Sequence, residues 1–273
     1  MKRQLAVLIG GLILTAYARS FDEALNFSLV KRAIVEERLR SFSRDNTERE
    51  TILKKMFEEA GCGGHMSELP VKHVQQPNLV CVLPGKSSSL IFVGAHFDHV
   101  DAGDGVVDNW SGASLLPSLY QGIAHAPREH TYIFIAFAGE EKGELGSESY
   151  VRSLTKNEVV SSKAMVNIDT LGLGPTEVWL THSDQRLTAL LNGLARALAL
   201  PLGAVNVENI GSSDSEQFAR RKIPRITVHS ITQATWPILH TSRDNLQNMR
   251  FDEYWQSYQL LGAYLALLDR SLD

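Results

Sequence analysis

The spacing of apolar residues changes character twice along this chain. An apolar run from Leu5 to Leu14 comes first, helical spacing follows, and from about Asn78 short β-rich runs alternate with helical stretches to the end. Two helices are predicted ahead of the β-rich part. One covers roughly Glu23 to Phe42; the other opens at Thr47, with Glu50 three residues later as in a capping box, and closes at Gly61. The runs Asn78 to Leu83 and Leu90 to Ala95 flank Pro84-Gly85, a turn signal that predicts neighbouring antiparallel strands.

Alternation then sets in. A helix from Ser111 to Ala126 leads to a strand from Thr131 to Ala138, a short helix from Ser147 to Ser153, and strands from Lys163 to Ile168 and Glu177 to Thr181. Leu187, Leu191, Leu194 and Leu198 recur at helical spacing, Ile226 to Val228 reads as a strand, and Tyr254, Tyr258, Leu261, Leu265 and Leu268 mark a C-terminal helix. This order predicts an α/β fold: a single globular domain with a mixed, mostly parallel sheet flanked by helices on both faces.

The first apolar run bears on where the chain works. Lys2 and Arg3 precede it and Ala16-Tyr17-Ala18 ends it, the layout of a signal peptide over residues 1–18. The run is shorter than the roughly 20 residues that cross a bilayer, so cleavage is expected rather than anchoring. The expectation is a domain over residues 19–273, exported to the periplasm or the outside and without stable membrane association. No cysteine follows the run to take a lipid, and Cys62 and Cys81, the only two, are too few for a disulfide scaffold. A formal net charge of −4 gives no basic footprint, which argues against nucleic acid as a partner.

In sheets of this kind ligands collect beyond the C-terminal ends of strands, and those positions here are rich in metal-ligand types. His96-Phe97-Asp98 ends one strand, with Asp98 two residues on and placed to orient the imidazole. Asp108 precedes a helix, Glu140-Glu141 follow a strand, Asp169 ends another, and His240 lies four residues before Asp244, which is available to orient it. Each has an ordinary structural explanation by itself. Together, two histidines and three carboxylates form the set that two zinc ions require, one nitrogen and one carboxylate each with a carboxylate shared. Glu140 is then a spare carboxylate beside a ligand, suited to act as general base.

His96-Phe97-Asp98, Asp108-Asn109-x-Ser111-Gly112, Glu140-Glu141 with Gly146-Ser147, Asn167-Ile168-Asp169 and His240-Thr241-x-x-Asp244 resemble the zinc exopeptidase family of bacterial leucyl aminopeptidases, which also holds glutaminyl cyclases and the transferrin receptor. The resemblance runs from about Asn78 to the end. It implies a metal-dependent exopeptidase acting on peptides, with two zinc ions per chain: Asp108 bridging, His96 and Asp169 completing one site, Glu141 and His240 the other, and Glu140 as base. It also implies a non-proline cis peptide after Asp108.

Relatives carry Ser-Asp-His where this chain has Ser213-Asp214-Ser215, which bears on specificity. A glutaminyl cyclase is the alternative activity, although a tryptophan is expected before the last histidine in those enzymes and Leu239 stands here. A carboxypeptidase would need a basic group for the terminal carboxylate. An inactive binding module of the same fold would be expected to have lost ligands. The remaining histidines fit no motif; His99, Trp110 and Trp236 neighbour the site in sequence, His99 as a possible pocket residue.

Overall fold

The computed structural model describes residues 27–207 and 211–273, so the predicted signal segment lies outside the described residues. Helix α1 (Arg32–Arg40) begins later than its apolar spacing predicts. The described residues ahead of it are held by tertiary contacts instead: Phe27 is buried against Tyr258, the Ser28 N–H donates to the Gly122 carbonyl at 2.8 Å, and the Val30 N–H donates to the Tyr258 hydroxyl at 2.9 Å. Helix α2 (Asn46–Glu59) is capped by Asp45, not by Thr47. The Asp45 carboxylate accepts the free N–H groups of Thr47 and Glu48, both at 2.8 Å, and such a cap contributes about 1 kcal/mol. Cys62, just past α2, is bonded to Cys81, with the Cα atoms 6.1 Å apart.

The strands are β1 (Met66–Leu69), β2 (Asn78–Leu83), β3 (Leu90–His96), β4 (Thr131–Phe137), β5 (Ser162–Ile168), β6 (Thr176–Val178), β7 (Leu202–Ala204) and β8 (Arg225–His229), in the spatial order β1-β2-β4-β3-β5-β8-β6-β7. The central pairs β4-β3, β3-β5 and β5-β8 are parallel, as is β6-β7 at the edge. The pairs β1-β2, β2-β4 and β6-β8 are antiparallel, giving the mixed, mostly parallel sheet expected.

One expected pairing is wrong. Strands β2 and β3 are not neighbours, because β4 lies between them. The Pro84-Gly85 connection bonds to the approach of β4 rather than closing a hairpin: the Gly85 N–H donates to Thr131 Oγ1, and the Ser87 N–H to the Glu129 carbonyl.

Helices cover both faces, as the period of two along each central strand requires. Ile91, Val93 and Ala95 of β3 join Tyr132, Phe134 and Ala136 of β4 in one core. Helices α3 (Ser111–Ala124), α6 (Gln185–Leu198) and α8 (Phe251–Ser271) pack there with α1 and α2. Phe92, Ile133, Ile135, Phe137 and Met165 face the other way, against α4 (Leu145–Ser153) and α7 (Ser215–Arg220) through Tyr150, Val151 and Phe218. Helix α5 (Lys156–Ser161) begins at Thr155 in a capping box with Glu158. No helix among the described residues is long and apolar enough to cross a membrane.

Candidate active site

Three parallel strands carry the site at their C-terminal ends. His96 is the last residue of β3, opposite Phe137 at the end of β4. The chain leaves β4 through Gly139, whose φ of +75° suits glycine, and a Cβ there would come within 2.5 Å of Val74. That turn presents Glu140 and Glu141. Asp169 follows β5, with its N–H donating to Val228 of β8 at 2.9 Å. Asp108 occupies a short turn before α3, and its peptide bond to Asn109 is cis. His240 lies in the loop after β8.

These residues converge about Asp108. One carboxylate oxygen, Oδ1, is 3.3 Å from His96 Nε2; the other, Oδ2, is 3.1 Å from His240 Nε2. His96 Nε2 is also 3.6 Å from Asp169 Oδ1, and His240 Nε2 is 3.1 Å from Glu141 Oε2. Two three-residue sets therefore share one aspartate. Around a tetrahedral cation with ligand bonds of about 2.0–2.1 Å, ligand atoms lie about 3.3 Å apart, and the observed separations cluster at that value. Glu141 Oε1 is buried without a hydrogen-bond partner, a further donor atom free for a cation. The set suits a divalent cation: His96, Asp108 and Glu141 each offer a ligand atom within 4.8 Å of the others. Glu140 stands just outside the set, with Oε2 4.0 Å from His96 Nε2.

The electrostatics follow from crowding. Burial works against the Asp108 carboxylate, but hydrogen bonds from His240 and His96 outweigh it and hold its pKa below the ordinary range. Hydrogen bonds to Asp108 and Glu141 push the His240 imidazole up to about 10. Burial opposes a charge on His96, yet Glu140 together with hydrogen bonds to Asp108 and Asp169 raises its pKa well above the usual value. Burial pushes Glu140 well above the usual carboxylate range; His96 opposes this, while Asp214, Asp169 and Asp108 add to it.

Supporting contacts differ from the simplest sequence expectation. His96 Nδ1 lies 3.2 Å from the main-chain carbonyl of Asp98 and 3.8 Å from its carboxylate. The Asp98 carboxylate instead accepts the N–H groups of Glu140 at 3.1 Å and Glu141 at 3.3 Å. Asp244 does not hold His240 but accepts the N–H groups of Val107 at 2.6 Å and Asp108 at 3.1 Å. Asn109 accepts from Gly112 and Thr170 and donates to the Ile168 carbonyl, tying the Asp108 turn to the end of β5.

Of the neighbouring candidates, Trp236 lines the cavity and is 43% exposed. Trp110 is fully buried and donates to the Arg38 carbonyl. His99 is turned to the Arg44 carbonyl and is not a pocket residue. Ser215 is buried in a hydroxyl chain with Ser213 and Thr227 and does not line the cavity. Asp214, beside Ser213 and Ser215, is buried and pushed up to about 8 by desolvation, while Arg49, which no sequence motif marks, is fully enclosed.

The site opens into a cavity of about 410 Å³. One wall is apolar: Trp179, Val207 and Ile231 form a small cluster separate from both sheet cores, with Leu239 packed against it. Trp179 is itself stacked on His182, ring centroids 3.7 Å apart.

The sequence profile of Peptidase family M28 matches residues 78–265. The chain belongs to that family. It is 27% identical over 186 residues to aminopeptidase YwaD of Bacillus subtilis (strain 168), covering 65% of this chain and 41% of that protein. It is 28% identical over 221 residues to a probable leucine aminopeptidase of Trichophyton verrucosum (strain HKI 0517), covering 73% and 59%. The chain thus spans about half the length of these curated relatives. Among solved structures, BSAP, a zinc aminopeptidase from Bacillus subtilis, superposes with a TM-score of 0.64 at 24% identity over 72% of this chain and 50% of that one. A glutaminyl cyclase from an Acidobacteriales bacterium superposes with a TM-score of 0.69 at 17% identity over 93% and 92%. These likenesses establish a shared fold.

Proposed function

We propose that this M28 chain is a two-zinc aminopeptidase, releasing N-terminal residues from peptides. The observation that carries the reading is Asp108, whose two oxygens face two different histidines, each of which faces a further carboxylate. Zinc ions held there supply Lewis acidity, polarising the scissile carbonyl and lowering the pKa of water. Glu140 takes the proton from the attacking water and delivers it to the departing amine. Burial raises the Glu140 carboxyl above the ordinary carboxylate range, which makes it a stronger proton acceptor than an exposed glutamate. Asp98 keeps Glu140 in place by holding its N–H and that of Glu141. The wall of Trp179, Val207, Ile231 and Leu239 fits an apolar first side chain. Curated relatives named leucine aminopeptidases agree with that preference.

The test is elemental analysis of dialysed protein together with release of amine from leucyl and alanyl chromogenic amides. Two zinc ions per chain and turnover are expected; protein that binds no metal would end this reading.

A glutaminyl cyclase is the second reading, favoured by the near-equal length of the cyclase that superposes. Against it stands Leu239 directly before His240. Cyclisation of an N-terminal glutaminyl peptide, with ammonia released and no amide-bond hydrolysis, would select it.

A further inference from the structure

The segment joining His96 to Asp108 carries one metal ligand at each end, and it has no regular hydrogen-bonded structure of its own over residues 97–105. What fixes it comes from outside. Arg49, on α2, is fully enclosed, and its guanidinium donates to four main-chain carbonyls: Ser43 at 2.6 Å through Nε, Phe97 at 2.8 Å through Nη1, and Asp104 at 2.7 Å and Gly105 at 2.9 Å through Nη2. One planar fork therefore grips both ends of the 97–105 segment and ties them to the turn ahead of α2.

Neighbouring contacts reinforce that grip. The Asn46 side chain accepts the His99 N–H, and His99 Nε2 reaches the Arg44 carbonyl at 2.8 Å. Gly105 has a φ of +56°, and a Cβ there would meet His99 Cβ at 2.5 Å and Arg49 Nη2 at 2.8 Å, so the close approach requires glycine. From the opposite side Asp244 accepts the N–H groups of Val107 and Asp108, and its carbonyl accepts that of Asp104.

We propose that Arg49 is a positioning residue for the metal centre: its guanidinium sets the separation of His96 and Asp108 by clamping the segment between them. The proposal rests on the two-metal reading above. Arg49 lies upstream of the 78–265 stretch that matches the family, so the helical part of the chain ahead of the sheet contributes to the chemistry as well as to packing. Its charge has a second effect. Burial pushes the guanidinium down to about 10, while the carboxylates of Asp244, Asp98, Asp108 and Glu141 counter that, so it remains a cation behind an acidic site. Lysine cannot substitute for it, since three tetrahedrally disposed donors do not match four carbonyls arranged about a planar fork.

The experiment measures zinc affinity by competition with a chromogenic chelator, for wild type, Arg49→Lys, Arg49→Gln and Arg38→Gln, each also melted without metal. Arg38 is the control: it is buried on α1 and donates to Ser118 and Gln121, away from the segment. Both Arg49 variants are expected to bind zinc roughly 10- to 100-fold more weakly than wild type, the range seen when groups behind metal ligands are lost. Arg49→Lys is expected to stay folded and to recover turnover in excess zinc. Arg38→Gln is expected to lower the melting temperature and leave zinc affinity unchanged. Wild-type affinity in Arg49→Lys, or an equal loss in Arg38→Gln, overturns the positioning role alone. A wild-type protein that binds no zinc overturns the metal reading and this proposal with it.

Discussion

The Asp98 carboxylate accepts the main-chain N–H of Glu140 at 3.1 Å, so the residue two past His96 holds the turn that leaves β4. The same carboxylate takes the Glu141 N–H through its other oxygen. Glu140 and Glu141 are thus fixed by one group, yet their side chains diverge: Glu141 Oε2 is 3.1 Å from His240, and Glu140 Oε2 is 4.0 Å from His96.

That divergence predicts different failures for two isosteric changes. Glu140→Gln should keep both metals and the fold while turnover falls by roughly 100-fold or more, the size of a general-base contribution. Glu141→Gln should weaken one metal site, because an amide is a poorer ligand than a carboxylate. Metal content, circular dichroism and chromogenic-substrate turnover on both variants check this. Near-normal turnover in Glu140→Gln, or metal loss there but not in Glu141→Gln, would contradict the assignment.

Metal loading should release protons at pH 7. Without metal, His240, raised to about 10, and His96, raised well above its usual value, both carry a proton that ligation must displace. Calorimetry in buffers of different ionisation enthalpy should therefore report net proton release on zinc binding, and affinity should fall as pH is lowered. Zinc uptake with no proton release would show that the imidazoles are already neutral.

The Cys62–Cys81 bond closes a loop with a sequence separation of 19, for which chain entropy alone gives about 3 kcal/mol. Reduction, or a Cys62→Ala/Cys81→Ala double variant, should shift the urea midpoint downward by a corresponding amount. An unchanged midpoint would mean that the unfolded chain gains nothing from the bond's loss. Such a bond also accords with the proposal of export, which N-terminal sequencing of secreted protein checks: Arg19 is the expected first residue, and intact Met1 in a membrane fraction would count against it.

Trp179→Ala should open the apolar wall. The kcat/KM for leucyl substrates should fall roughly tenfold relative to alanyl ones, in keeping with the modest discrimination an apolar pocket gives. Equal losses on both would indicate that Trp179 does not contact the first side chain.

That the candidate ligands would lie near one another could be expected from the sequence, because each stands at a strand end or in a loop beside one, and the structure does bring them together about Asp108. Strand order was less legible: Pro84-Gly85 has the composition of a hairpin, and only the bonds from Gly85 and Ser87 to the 129–131 segment reveal that β4 intervenes. The roles of Asp98 and Asp244 were misread for a common reason. A carboxylate near a histidine looks like its partner, but here the main-chain N–H groups of ligand-bearing turns compete for it and win. Arg49 left no trace, since an arginine on an amphipathic helix resembles a solvated one until the four carbonyls around it are seen.

The apolar wall carries a consequence for divergence. Trp179 follows β6, Val207 follows β7, Ile231 follows β8 and Leu239 precedes His240, so the wall is assembled from connecting segments, whereas four of the six candidate site positions, His96, Glu140, Glu141 and Asp169, adjoin β3, β4 and β5. Its cluster is separate from either sheet core. Exchanges of size at Trp179, Val207 and Ile231 fall outside both sheet cores, whereas Leu239 also packs against the larger core. Changes in these connecting segments would therefore reshape the cavity while leaving the cluster about Asp108 in place.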